Sequence, residues 1–307
     1  MDTRDRFRGC MVGVAVGDAL GGPFEGMPGD EAAKRFDGKM AGGGVHNLKP
    51  GEFTDDAGMT LVLAESMVRK KGVALEDIFS RFLEWYKTNP KGLGRLTSMV
   101  MEEGSKGAPW QDAARIAWER PGKRSAGNGS LMRFAPVALA DCRSRERLME
   151  DASAVSGLTH HDPRCSQACQ AASLILVELI DGRTAVDAVR TAVSMLGGTE
   201  ASRALARSLE IERDEIRPTG YVIDTLEVVC WHMTCSSTFR ECIEGCVLLG
   251  GDADTNAAVT GALAGARSGI DGIPSEWAHA LDANKIGLDG IIELADGLYD
   301  VATKRSR

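Results

Sequence analysis

Apolar residues recur along this chain at the spacing of a helix face, and nowhere with the alternation of a strand. Cys165, Ala168, Cys169, Ala172, Ile175, Leu176 and Leu179 form one long stripe, stopped at Asp181-Gly182. Phe7, Cys10, Met11, Val14, Ala15 and Asp18 share another face, which runs into the glycine-rich break Gly17-Asp18-Ala19-Leu20-Gly21-Gly22-Pro23. The pattern predicts further helices over residues 76–88, 110–119 and 147–156. Thr238-Phe239-Arg240-Glu241 fits a capping box and opens a helix expected to end at Gly250-Gly251. Glycine concentrates in loops at 21–29, 38–51, 91–94, 104–109 and 121–130, and no low-complexity linker divides the chain. The expected fold class is all-α: one domain over residues 1–307, a compact multi-helix globule, because stripes on most helices need apolar partners on several sides.

Two acidic clusters nearly two hundred residues apart carry the chemistry. The first is Phe53-Thr54-Asp55-Asp56; the second is Gly250-Gly251-Asp252-Ala253-Asp254-Thr255. Each opens a helical run, with Met59, Val62, Leu63 and Met67 after the first and Val259, Ala262, Leu263 and Ala266 after the second. Asp and Thr at helix starts are ordinary caps. One cap position needs one acceptor, however, and crowded carboxylates repel unless a cation or a proton intervenes. Six oxygen-bearing side chains, with no nitrogen or sulfur among them, suit hard divalent ions such as Mg²⁺ and Mn²⁺. The expectation is two divalent cations held by Thr54, Asp55, Asp56, Asp252, Asp254 and Thr255.

Other segments are weaker alone. Asp18 and Glu25 flank the first glycine-rich break, where a plain turn is the default reading. Ser125 to Arg133 contains the small-residue run Gly127-Asn128-Gly129-Ser130, whose successive N–H groups could form an anion nest; it lacks the Walker lysine. In Thr159-His160-His161-Asp162-Pro163, Asp162 and Pro163 read as a cap and a first helical residue. Tyr221, at the start of a helix, reads as a packing residue.

Composition narrows the partners. There are 36 Lys and Arg against 44 Asp and Glu, a formal charge of −8, which argues against an extended nucleic-acid surface. No apolar run approaches a membrane span, and the N-terminal residues carry mixed charge without a secretory core. Eight cysteines without a Cys-x-x-Cys pair read as small buried hydrophobes in a reducing cytoplasm.

Taken in order, six segments resemble the ADP-ribosylglycohydrolase family: residues 17–25, 53–60, 127–133, 159–163, 220–227 and 250–266. The last is the most specific. The resemblance implies an all-α fold with a dinuclear Mg²⁺ or Mn²⁺ centre and the same six ligands. It places Glu25 on a mobile loop near the substrate, Gly127, Asn128, Gly129 and Ser130 around the diphosphate of ADP-ribose, and His160 near the phosphates and distal ribose. The implied catalytic acids are Glu25, Asp55 and Asp254. The chain departs from the family pattern twice: Ala57 replaces the last Thr of Thr-Asp-Asp-Thr, and Gly92-Leu93-Gly94 replaces an Asp-Ile-Gly loop. The implied reaction is metal-dependent release of ADP-ribose from an ADP-ribosylated acceptor, with protein arginine the first candidate. Alternatives are an ADP-ribose-binding relative without turnover and a two-metal phosphoester hydrolase.

Overall fold

In a computed structural model, residues 2–120 and 125–305 are described. The part of the 121–130 glycine loop at 121–124 therefore lies outside the described residues. These contain sixteen α-helices and five short 3-10 turns, with no strand beyond isolated bridges. No helix among them is long and apolar enough to cross a membrane.

Six helices position the functional cavity. They are α1 (Thr3–Gly21), α2 (Asp55–Lys70), α3 (Pro163–Ile180), α4 (Val222–Cys235), α5 (Phe239–Val247) and α6 (Ala253–Ser268). Helix α3 realises the long apolar stripe and is almost wholly buried from Ala171 to Ile180. It starts as its sequence dictates: Asp162 accepts from the Arg164 N–H at 3.0 Å, with Pro163 in the first turn. Helix α5 carries the expected capping box, Thr238 and Glu241 each accepting from the other's backbone. It stops at Val247, short of the expected glycines. Gly250 and Gly251 instead take positive φ, 66° and 65°, which turns the chain sharply into Asp252. The predicted helices at 76–88, 110–119 and 147–156 are found as Leu75–Tyr86, Trp110–Glu119 and Arg145–Gly157.

The tightest packing in the molecule joins α1 to α6, antiparallel. A Cβ added at Gly9, Gly13, Gly17 or Gly21 would lie 2.3, 2.1, 2.0 or 2.3 Å from the carbonyl oxygens of Gly265, Gly261, Ala257 and Ala253 respectively. The two backbones therefore touch directly. Glycines four residues apart lie on one face of α1, a signal present in the sequence that the apolar stripe obscured. This contact brings Asp18 and the Gly21–Glu25 turn beside the start of α6, where the second acidic cluster begins.

Candidate active site

The first acidic cluster begins α2, yet its own threonine does not cap that helix. Asp18, fully buried on α1, does so from outside. Its Oδ1 accepts from the Thr54 N–H at 2.9 Å and from Thr54 Oγ1 at 2.8 Å, and its Oδ2 accepts from the Ala57 N–H at 2.8 Å. Two of the free N–H groups of the helix start, those of Thr54 and Ala57, are thus taken by a third party. The carboxylates of Asp55 and Asp56 are not needed for those two donors. Sequence reading put Asp18 on the apolar face of the first helix, beside the glycine-rich break, and drew no role from an acid in that position.

Tertiary structure brings the two clusters together. The Thr255 hydroxyl donates to the Asp56 carboxylate, and Asp56 feels the charge of Asp252. Asp254 feels Asp56, Asp252 and Glu25 in turn. Burial, and next the charge of Asp18, raises Asp55 to about 8. Asp18 rises to about 6 through burial, against the pull of its three hydrogen bonds. Burial first, then neighbouring carboxylates, drives Asp56 and Asp254 well above the usual carboxylate range. Acids so placed cannot all ionise unless positive charge joins them. Asp56 Oδ1 is buried without any hydrogen-bond partner. All the nearby donors are oxygens, so the residues fit hard divalent cations. Among the described residues no three His, Cys, Asp or Glu converge on one point; the acids are distributed around a cavity. Thr54 stands apart from that cavity, its hydroxyl turned to Asp18.

That cavity, about 540 Å³, is lined by Glu25, Asp55, Asp56, Asp252, Asp254 and Thr255 on one side and by Gly127, Asn128, Gly129 and His160 on the other. The Gly92–Gly94 segment joins them. Gly92 has φ +86°, and a Cβ there would lie 2.6 Å from Asp55 Oδ1, while Gly94 offers its N–H to the same carboxylate. Backbone, with no acidic side chain, stands against Asp55 here.

The glycine wall is pinned to α4. Asn128 donates its N–H to Gly220 O at 3.2 Å, and Val222 donates to Ala126 O at 3.0 Å. The Asn128 side chain donates to Thr225 Oγ1 at 2.8 Å and to Asp252 Oδ2 at 2.6 Å, so it ties this wall to the second acidic cluster. Ser130 turns inward, its hydroxyl accepting from Ser156 at 2.9 Å. Among the described residues the N–H groups of Gly129 and Ser130 have no backbone carbonyl partner. Gly129 lines the cavity and Ser130 stands behind it; N–H groups without a partner beside a cavity suit an anion.

His160 completes this wall. Arg133, fully buried, donates to Thr159 Oγ1, which shares a 2.8 Å hydrogen bond with His160 Nδ1. With the Thr159 hydroxyl as donor in that pair, the neutral imidazole carries its proton on Nε2. Nε2 faces the glycine loop: a Cβ on Gly129 would stand 3.2 Å from it. Burial, reinforced by the Arg133 charge, lowers His160 to about 3. It is therefore a neutral donor aimed at the nest. Arg133 and Thr159 lie in segments singled out in the sequence, but neither was read as a site residue, because their role exists only through the imidazole between them and the cavity.

Glu25 stands at the cavity edge, and its backbone is held more firmly than a glycine-rich loop suggests. Gly26, at φ +74°, donates to Gly251 O at 2.7 Å, and Gly251 donates back to Met27 O at 2.8 Å. The loop expected to be mobile is thus pinned to the turn that starts α6.

Comparison with known proteins agrees with this layout. The family model described as ADP-ribosylglycohydrolase matches residues 1–307. The chain is 35% identical over 286 residues to the ADP-ribosyl-[dinitrogen reductase] glycohydrolase of Rhodospirillum rubrum, covering 91% of this chain and 90% of the relative. It is 33% identical over 309 residues to the ADP-ribosylarginine hydrolase Tri1 of Serratia proteamaculans (strain 568), covering 98% and 81%. A solved structure described as an ADP-ribosylglycohydrolase-related protein complex superposes with a TM-score of 0.83 at 32% identity, over 98% of this chain and 99% of that one. An all-helical frame of this kind, with relatives of this kind, defines the chain as a glycohydrolase. It belongs to the ADP-ribosylglycohydrolase family.

Proposed function

We propose that this enzyme uses two divalent cations, Mg²⁺ or Mn²⁺, to release ADP-ribose from ADP-ribosylated arginine on a protein. One observation carries the reading: two acidic helix starts and a donor-rich glycine wall line one cavity. ADP-ribose has the matching polarity, with hydroxyls on its distal ribose and charge on its diphosphate. The bacterial relatives named for dinitrogen reductase and for ADP-ribosylarginine support arginine as the acceptor.

Asp55, Asp56, Asp252, Asp254 and Thr255 would hold the cations, which supply Lewis acidity toward the ribose hydroxyls and toward water, with Thr54 held beside them on Asp18. The chain's own residues do the rest. Gly127, Gly129 and Ser130 offer N–H groups to the diphosphate, and His160 Nε2 adds a neutral donor beside them. Asn128 fixes their distance from Asp252. Breaking the bond between the anomeric carbon and the guanidine nitrogen builds positive charge on the ribose, which Asp55 and Asp254 stabilise. Water adds to that carbon, and Glu25 carries a proton between water and the departing guanidine.

The test is release of free ADP-ribose from arginine-, serine- and nucleotide-linked substrates, with Mg²⁺, Mn²⁺ or a chelator. Release from the arginine substrate alone, lost with chelator, is the expected result. Binding of ADP-ribose with no release from any substrate would overturn the reading, as would release of inorganic phosphate instead.

A further inference from the structure

Glu25 differs from the other proposed catalytic acids. Asp55 and Asp254 are buried, whereas the Glu25 side chain is about one-third exposed. Its main chain is fixed on both sides, by Gly26 on Gly251 downstream and by Pro23 upstream, where a Cβ on Gly44 would stand 2.7 Å from the Pro23 Cα. The place of the carboxylate is therefore decided by side-chain torsions.

His46 meets that carboxylate, Nε2 against Oε2. The imidazole stands on an anchored turn. Gly43 and Leu48 exchange backbone hydrogen bonds at 2.8 and 2.9 Å, and Leu48 is buried against the Gly22 turn. Lys91 ties the same turn down, donating to Asn47 O at 3.0 Å and to Glu52 Oε2 at 2.9 Å. Glu25 lines the cavity and His46 does not.

We propose that His46 is a positioning residue, holding one oxygen of Glu25 from outside the cavity so that the other is presented inside it. The contact removes the rotamer choice that an exposed glutamate otherwise keeps. The catalytic consequence rests on the reading of Glu25 as proton carrier. His46 touches no substrate atom; it acts through the carboxylate.

The experiment uses the full chain, with Tm and metal content recorded for each variant. His46→Ala is expected to lower kcat about 10- to 100-fold, the cost of a misplaced reacting group, with KM unchanged. His46→Gln, whose amide N–H reaches the same oxygen, recovers most of that loss. Added to Glu25→Gln, His46→Ala costs nothing further, because its effect runs through the missing carboxylate. Additive losses, or no recovery in His46→Gln, overturn the proposal. The contact is also read without turnover: the His46 imidazole nitrogen signals should move in Glu25→Gln, and unmoved signals overturn the proposal. Failure of every ADP-ribosylated substrate would sink the proposed function, and the imidazole signals would still decide the contact.

Discussion

At the start of α2, the N–H groups of Thr54 and Ala57 are taken by Asp18, and carboxylates gather beside them. At Gly127–Gly129, in the lining of the same cavity, the Gly129 N–H has no backbone carbonyl partner among the described residues, and its neighbour is a neutral imidazole. Both walls begin from the same backbone chemistry, since chain turns leave donors unpaired. One wall spends its donors internally and accumulates negative charge, which calls for cations. The other keeps its donors and suits an anion. Asn128 joins them, with its backbone in one wall and its amide on Asp252 of the other. The polarity of the cavity follows from where each donor is used, more than from the net charge of the chain.

The hardest test of this contrast is to remove charge from the acidic wall. Asp254→Asn should lower divalent-cation content and ADP-ribose release together, by at least about 100-fold in activity, the upper end of what disturbing even an outer ligand partner costs. Retained metal with lost activity would make Asp254 a purely chemical group. Metal analysis and kcat on one preparation separate the two.

Asn128→Asp attacks the joint between the walls. It sets a carboxylate against Asp252 in place of a donor. Cation content and ADP-ribose affinity should both fall, activity by about 10- to 100-fold. A change in only one of them would show that the walls act independently.

Thr159→Val tests the donor wall alone. It removes the hydroxyl that fixes the His160 tautomer. ADP-ribose affinity should weaken about tenfold, the worth of one hydrogen bond to a charged group, with cation content unchanged. Calorimetric titration with ADP-ribose checks it; a loss of metal would contradict the separation of the walls.

The smallest effect is on stability. Asp18 and Asp55, at about 6 and about 8, hold protons more tightly folded than unfolded. Stability from that difference is present in full below the unfolded carboxylate range and is lost as pH rises through 6 and 8. Chelated protein should therefore melt lower at pH 9 than at pH 5. Added Mg²⁺ or Mn²⁺ should raise Tm by on the order of 5 °C at pH 9 and by less at pH 5. A cation effect independent of pH would count against charge relief in the acidic wall.

Much of this was legible in the chain. The 3.6-residue period dictated an all-helical fold, because a stripe of that period can be buried only by a helix. Residues Thr238 and Glu241, Asp162 and Pro163 set helix starts through bonds that reach only three or four residues, so their sequence neighbourhood suffices. The two acidic clusters announced themselves by composition, since more carboxylates were present than capping needs. Proximity was beyond the sequence: nothing local says that Asp56 and Thr255 touch, that Asp18 caps a helix starting at Asp55, or that His46 holds Glu25. Those contacts depend on α1 and α6 meeting backbone to backbone through Gly9, Gly13, Gly17 and Gly261, a geometry set by the packing of whole helices. Nor could the sequence tell which donors stay free, because each N–H is spent or spared by partners dozens of residues away. Local rules fixed the elements and the residue types of the site; tertiary packing decided its charge pattern, because hydrogen bonds and burial act across space and not along the chain.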